Sequence, residues 1–243
     1  LRCFDWVDLR PIPVGDAGTP RRLGEMLACL HRRAPTAEAE PYDGGPPDPW
    51  YDRAPAPDDW VTLSRSGAVW AAKLCQQVEA MQSMCSEIKP VDPASLILCH
   101  RDLHPQNVFA DQAGRFVLVD CEDLGPAEPG RELARAVFDW CCDSRHADLG
   151  AARSMIQGYL SAGGPGRVNE LGDFSMLLAS RLNFVLEQAR LALNQDVAPR
   201  HREWARQEVD SMRRLMPTSR QLHDVLAVAR DCNHNVRPGP EWA

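Results

Sequence analysis

The stretch from Leu98 to Glu122 constrains this chain more than any other. Two short runs rich in β-branched and aromatic residues, Val108-Phe109-Ala110 and Phe116-Val117-Leu118-Val119, flank Asp111-Gln112-Ala113-Gly114, a turn composition with a glycine available for positive φ. The pattern predicts a β-hairpin. A hairpin returns the end of its second strand to the start of its first, so Asp120 is expected beside Asn107. Immediately upstream lies His100-Arg101-Asp102-Leu103. Asp102, Asn107 and Asp120 are thereby gathered on short, stiff supports, and the oxygen donors of Asn107 and Asp120 suit a hard cation such as Mg²⁺.

The order His-Arg-Asp-Leu, three residues, then Asn is also that of the protein-kinase catalytic loop, where the Asp accepts a hydroxyl proton and the Asn holds a metal ion. Phosphoryl transfer asks mainly for positioning, because the metal, the phosphates and the acceptor hydroxyl must lie in line. Asp102 is therefore the candidate catalytic residue, and Asn107 and Asp120 are the candidate metal ligands. His100, Arg101, His104 and Glu122 are candidate supporting residues. His104 either belongs to the chemistry or orients the loop through a backbone hydrogen bond. Glu122, two residues past Asp120, shares its face in an extended strand and would assist the metal or bind substrate; alternatively it caps the helix that follows.

On these residues the chain resembles the aminoglycoside phosphotransferase and choline-kinase-like group of small-molecule kinases. The resemblance rests on His100 to Asn107, on Asp120-x-Glu122, on Gly130-Arg131-Glu132-Leu133-Ala134 and on Leu30-His31. Glu132 stands where the family usually has Asp, and Arg101 where a small residue, often Gly, is frequent; neither is expected to touch the groups that do chemistry. The resemblance implies an α+β, predominantly helical fold: a protein-kinase-like C-terminal lobe over residues 16–243 with a short catalytic β-hairpin, preceded by a hinge strand over residues 1–15. It also implies Mg²⁺ and ATP, or another nucleoside triphosphate, with Asp5, Trp6 and Val7 meeting the base at the hinge. The acceptor would be a hydroxyl on a small molecule, compatible with a cationic one, with Glu187, Asp196 and Asp231 as substrate-facing candidates or, more plainly, as solvated surface charge.

A glycine-rich loop, a strand-borne Lys and its helical Glu partner are not found ahead of the hinge strand, so the nucleotide-binding lobe is expected to lie outside this chain. A non-catalytic small-molecule binder and one half of a two-chain enzyme are the rival readings, and self-association or a partner would cover the exposed hinge surface. About ten residues separate Asp120 from the next helix, and no Ala-Pro-Glu follows, which speaks against a protein substrate.

Composition excludes other classes. A net charge of −7 argues against nucleic acid, and no apolar run approaches the length of a membrane span. The nine Cys residues show no C-x-x-C spacing, so neither a zinc site nor a disulfide framework is indicated, and a cytoplasmic location is expected.

Periodicity and breakers predict the helices. Thr19-Pro20 opens one with Thr as N-cap and a stripe of Leu23, Met26, Leu27 and Leu30; His31 within it is expected to be structural. Residues 34–59 form an irregular excursion carrying Trp50-Tyr51, too long to be a passive connector. A long helix is expected over 64–88, and others over 131–143, 148–162, 172–195, 200–216 and 219–231.

Overall fold

The structure is a computed structural model that describes residues 8–12, 16–36, 49–211 and 216–235. Its helices are α1 (Thr19–Arg33), α2 (Pro49–Asp52), α3 (Pro57–Ser64), α4 (Ala71–Glu87), α5 (Pro129–Cys141), α6 (Leu149–Ser161), α7 (Ser175–Leu193), α8 (Pro199–Asp210) and α9 (Ser219–His234). The strands are β1 (Arg10–Pro11), β2 (Ile97–Cys99), β3 (Val108–Ala110), β4 (Phe116–Leu118) and β5 (Gly125–Ala127). They form two small antiparallel sheets, β1-β3-β4 and β2-β5. The predominantly helical, kinase-like lobe expected from the sequence is the architecture observed.

The predicted hairpin is β3-β4, with Val108 opposite Leu118 and Ala110 opposite Phe116. Gly114 takes φ +75°, and the Asp111 side chain accepts from the Arg115 amide at 2.8 Å, closing the turn locally. Pro11 sits on the edge strand β1, where its missing N–H costs no ladder bond.

Helix α1 lies against α6 closely enough that backbone meets backbone. A Cβ added to Gly24 would sit 2.0 Å from the Met155 carbonyl oxygen, and one added to Gly158 would sit 2.3 Å from that of Arg21. Only glycine at both positions permits this crossing. Around it Leu23, Leu27, Ala152, Met155 and Tyr159 are buried with the inner face of α5. A second core joins α3, α4, α7 and α8 through Trp60, Leu74, Met81, Leu182, Val185 and Ala205.

Several expectations change in the folded chain. Thr19 is the first residue of α1 and is buried; Asp16 instead accepts from the Gly18 amide and the Thr19 hydroxyl. The α1 stripe is rotated, with Leu30 40% exposed and His31 buried, because α1 faces α6 and α5 at once. The helix expected over 64–88 starts only at Ala71, because Ser64 is the last residue of α3 and Gly67, at φ +75°, lies in the turn between that helix and α4. The excursion over 34–59 is irregular only in part, as α2 and the start of α3 fall within it. The helix expected from 172 begins as a 3₁₀ turn at Leu171–Phe174. The hinge residues Asp5, Trp6 and Val7 lie outside the described residues. No helix among those described is long and apolar enough to cross a membrane, and no disulfide links the described cysteines.

Candidate active site

The loop between β2 and β3 carries Asp102, and its backbone is pinned from α5. Glu132, Arg135, Asp139 and Trp140 recur at the i, i+3, i+7, i+8 spacing that puts side chains on one helix face. Glu132 Oε1 accepts from the Arg101 amide at 2.5 Å, an Arg135 guanidinium nitrogen donates to the Arg101 carbonyl, and Trp140 Nε1 donates to the Leu103 carbonyl at 3.0 Å. Arg101 and Leu103, the residues on either side of Asp102, are thus held by one helix. Glu132 touches Arg101 and His31 rather than Asp102, Asn107 or Asp120, and it holds the backbone amide of the residue immediately before Asp102.

Arg101 has φ +65°, a left-handed conformation that favours glycine and costs other residues about 1–2 kcal/mol. This accounts for the small residue that the resemblance leads one to expect there. Arg101 is held in that conformation by Glu132 at its amide, by a 2.6 Å hydrogen bond from its Nε to the Asp123 carbonyl, and by stacking of its guanidinium over the Tyr51 ring at 4.4 Å.

Asp102 meets donors on both carboxylate oxygens. Arg135 donates to Oδ1 at 2.5 Å; Asn107 Nδ2 donates to Oδ2 at 2.9 Å and to the Asp102 carbonyl at 3.0 Å. His104 Nε2 lies 3.2 Å from Oδ2, while its Nδ1 accepts from the Gln106 amide at 3.1 Å, which places the ring proton on Nε2, facing Asp102. His104 therefore orders the loop and touches the candidate base together. Burial pushes the Asp102 carboxyl up, but the His104 hydrogen bond and the charge of Arg135 outweigh it and hold the group below the usual carboxylate range. Asp102 is ionised at neutral pH.

His100 is buried and bonds through Nε2 to the Val119 carbonyl at 3.2 Å, tying the loop to the end of the hairpin. The Val119 amide in turn donates to the Asn107 carbonyl at 2.9 Å, so the residue after it, Asp120, emerges next to Asn107. Asp120 has φ +60° and is exposed. Its turn ends the strand alternation on which the shared face of Asp120 and Glu122 depended. Glu122 lies exposed in the turn that follows, and the residue preceding α5 is Glu128, so Glu122 does not cap that helix.

The chemistry of the donors fits a hard cation. Asn107 spends its amide nitrogen on Asp102, which leaves its carbonyl oxygen as the ligating atom, and among the described residues the Asp120 carboxylate has no hydrogen-bond or ion-pair partner. A second set of ligand-type atoms, on His31, Cys99 and Glu132, is buried and mutually close. Hydrogen bonds already occupy it: His31 Nε2 donates to Glu132 at 2.6 Å, and His31 Nδ1 pairs with the Tyr159 hydroxyl at 2.8 Å.

Asp102 opens onto a cleft of 780 Å³ between the loop, the 49–53 segment, α7 and α8. Trp50, Tyr51, Phe184 and Trp204 give it aromatic walls, and Asp123, Asp139 and Glu208 add carboxylates. Asp139 is paired with Arg181 and Arg135, whereas neither Asp123 nor Glu208 is in an ion pair among the described residues. Glu187, Asp196 and Asp231 do not line this cleft; Asp231 pairs with Arg153 on the surface. Arg135, Asp139, Tyr51 and Trp204 were not singled out as site residues from the sequence. The signal present there was a row of charges, Glu132, Arg135 and Asp139, along one face of a helix whose neighbours on that face are apolar.

A family model described as "Phosphotransferase enzyme family" matches residues 13–171. Among solved structures, an aminoglycoside phosphotransferase from Alicyclobacillus acidocaldarius subsp. acidocaldarius DSM 446 superposes with a TM-score of 0.57 at 14% identity, over 95% of this chain and 71% of that one. A spectinomycin phosphotransferase, APH(9)-Ia, in complex with ADP and spectinomycin, gives a TM-score of 0.59 at 15% identity, over 95% and 70% of the two chains. At these identities the likeness speaks for the fold. No curated protein matches the sequence. With the family model covering more than half of its 243 residues, and with the fold those kinases share, the chain belongs to the phosphotransferase enzyme family.

Proposed function

We propose that this chain carries the acceptor-side chemistry of an ATP-dependent phosphotransferase whose acceptor is a hydroxyl on a small, cationic amino alcohol, of aminoglycoside or related type. One observation carries the reading: an ionised carboxylate, Asp102, faces an aromatic and acidic cleft beside a hairpin that ends in two hard oxygen donors. On this reading Asn107 and Asp120 would hold Mg²⁺, which when bound with nucleotide supplies charge neutralisation for the transferred phosphoryl group.

Asp102 orients the acceptor hydroxyl and takes its proton. Asn107, donating to Asp102 with one end of its amide and free to ligate with the other, sets base and metal in fixed relation. Asp123 and Glu208 are left to meet the amine, and Trp50, Phe184 and Trp204 offer ring faces to a cation. Residues 1–15 would supply the hinge to the nucleotide base and residues 16–243 the lobe described here. The test is Mg²⁺·ATP-dependent phosphorylation of spectinomycin, choline, ethanolamine and kanamycin, followed by mass. Transfer to an amine-bearing acceptor that Glu208→Gln weakens in KM supports the reading. Preference for a neutral or anionic alcohol would overturn the substrate class, and tight binding without transfer to any alcohol would favour a binding protein.

A further inference from the structure

The Trp50-Tyr51 segment is the part of the excursion for which the catalytic loop alone gives no use. It is held in place: Asn183 on α7 donates through Nδ2 to the Trp50 carbonyl at 3.0 Å and to the Arg53 carbonyl at 2.9 Å. Tyr51 is thereby buried, 4% exposed, with the Arg101 guanidinium 4.4 Å and the Arg135 guanidinium 5.5 Å from its ring centroid. Its hydroxyl reaches the Arg135 guanidinium as well.

Arg135 is boxed on every side. It bridges the Arg101 carbonyl and Asp102 Oδ1 at the front; Asp139, itself held by Arg181, lies 3.5 Å from its Nε; Tyr51 covers its face. A guanidinium is planar, with donors in a fixed fork, so spanning the carbonyl of residue 101 and the carboxylate of residue 102 fixes the Asp102 side chain relative to its own backbone. Asn107 makes the matching clamp from the opposite side, on Oδ2 and the Asp102 carbonyl. Asn107 is also a candidate metal ligand, so its contacts answer to the nucleotide complex, whereas those of Arg135 are all made within the protein.

We infer that Arg135 is a positioning residue for Asp102, and that Tyr51, delivered by the 49–53 segment and locked by Asn183, keeps the Arg135 guanidinium in that pose. The inference rests on the reading of Asp102 as the carboxylate that orients the acceptor. A lysine at 135 keeps the charge and loses the fork, so charge alone does not satisfy the requirement.

The experiment compares Arg135→Lys, Arg135→Met and Tyr51→Phe with wild type in the full chain by two independent measurements. The first is steady-state transfer from Mg²⁺·ATP to whichever of spectinomycin, choline, ethanolamine and kanamycin the wild type phosphorylates, with thermal melts alongside. Misplacement of a reacting group by about 1 Å costs on the order of 10²-fold, so kcat is expected to fall by about that factor in Arg135→Lys, with KM for Mg²⁺·ATP nearly unchanged. Loss of one hydrogen bond to a charged guanidinium predicts a fall of roughly 10- to 100-fold in Tyr51→Phe. The second measurement is hydrogen–deuterium exchange of the peptide spanning residues 100–107, which needs no acceptor: it is expected to speed up in all three variants while peptides from α6 and α7 keep wild-type exchange. A purely structural Arg135 would lower the melting temperature and leave kcat per folded molecule intact; that result, or wild-type exchange of the loop in Arg135→Lys and Tyr51→Phe, overturns the inference. If the wild type phosphorylates nothing with a nucleotide-binding lobe present, the functional reading fails, and the exchange experiment still decides whether Arg135 and Tyr51 position Asp102.

Discussion

Replacing Glu132 by Gln tests how the catalytic loop is held. Glu132 is 1% exposed and accepts two hydrogen bonds, from the Arg101 amide at 2.5 Å and from His31 Nε2 at 2.6 Å. The chain of donors beyond it has one consistent direction. The Gly166 amide donates to the Tyr159 oxygen at 2.8 Å, the Tyr159 hydroxyl then donates to His31 Nδ1, and His31 Nε2–H donates to the carboxylate. Gln has nearly the same shape but only one accepting oxygen. Whichever way its amide turns, an N–H faces either Arg101 N–H or His31 Nε2–H, and reversing the histidine tautomer carries the conflict on to Tyr159. A buried unmet donor costs about 1–3 kcal/mol, and a hydrogen bond to a charged carboxylate contributes about 1.5–3 kcal/mol. We therefore expect a loss of about 2–4 kcal/mol, or roughly 5–15 °C in Tm for a chain of this size.

The pH dependence carries the sign. Burial raises the Glu132 carboxyl, but the hydrogen bonds from His31 and from the Arg101 amide overcome it and hold the group below the usual glutamate range. A depressed folded-state pKa gives stability that is present above the unfolded value, about 4.3, and lost as pH falls through the folded value. Urea denaturation at pH 7 and at steps below pH 5 is the assay: the gap between wild type and Glu132→Gln should be largest at neutral pH and narrow on acidification. A gap that stays constant with pH, or a Tm within about 2 °C of wild type at pH 7, would refute the reasoning.

Asp102→Asn should lower kcat per folded molecule by about 10²–10⁴-fold, the range of general-base contributions, with a thermal melt to establish the folded fraction; near-wild-type transfer would remove Asp102 from that role. Asp120→Ala should weaken Mg²⁺-dependent turnover far more than Glu122→Ala, since the first carboxylate emerges beside Asn107 and the second sits in the exposed turn beyond it; equal losses in a Mg²⁺ titration would show the assignment to be wrong. Gly24→Ala should destabilise by about 1–3 kcal/mol or more, because its Cβ would lie 2.0 Å from the Met155 carbonyl oxygen and the α1–α6 crossing must open; an unchanged urea midpoint would contradict the close approach.

The elements legible in the sequence are those whose determinants lie close together along it. The β3-β4 hairpin follows from its turn residues and β-branched runs within a dozen positions, and α5, α6 and α9 begin and end within about three residues of where Pro, Gly and the apolar period put them. The order of Asp102, Asn107 and Asp120 was visible for the same reason. What holds that loop was not. Glu132 and Arg135 reach it across more than thirty residues and His31 reaches Glu132 across about a hundred, so no local pattern tells a buried, paired charge from a solvated one. The left-handed turn at Asp120 separated Glu122 from the face that strand alternation assigned to it. The cleft draws its walls from residues as distant as Trp50, Asp102, Arg181 and Trp204. Those side chains become neighbours only once α2 and α8 have packed on α7, because side-chain reach is a few ångströms and only tertiary packing brings such distant segments within it.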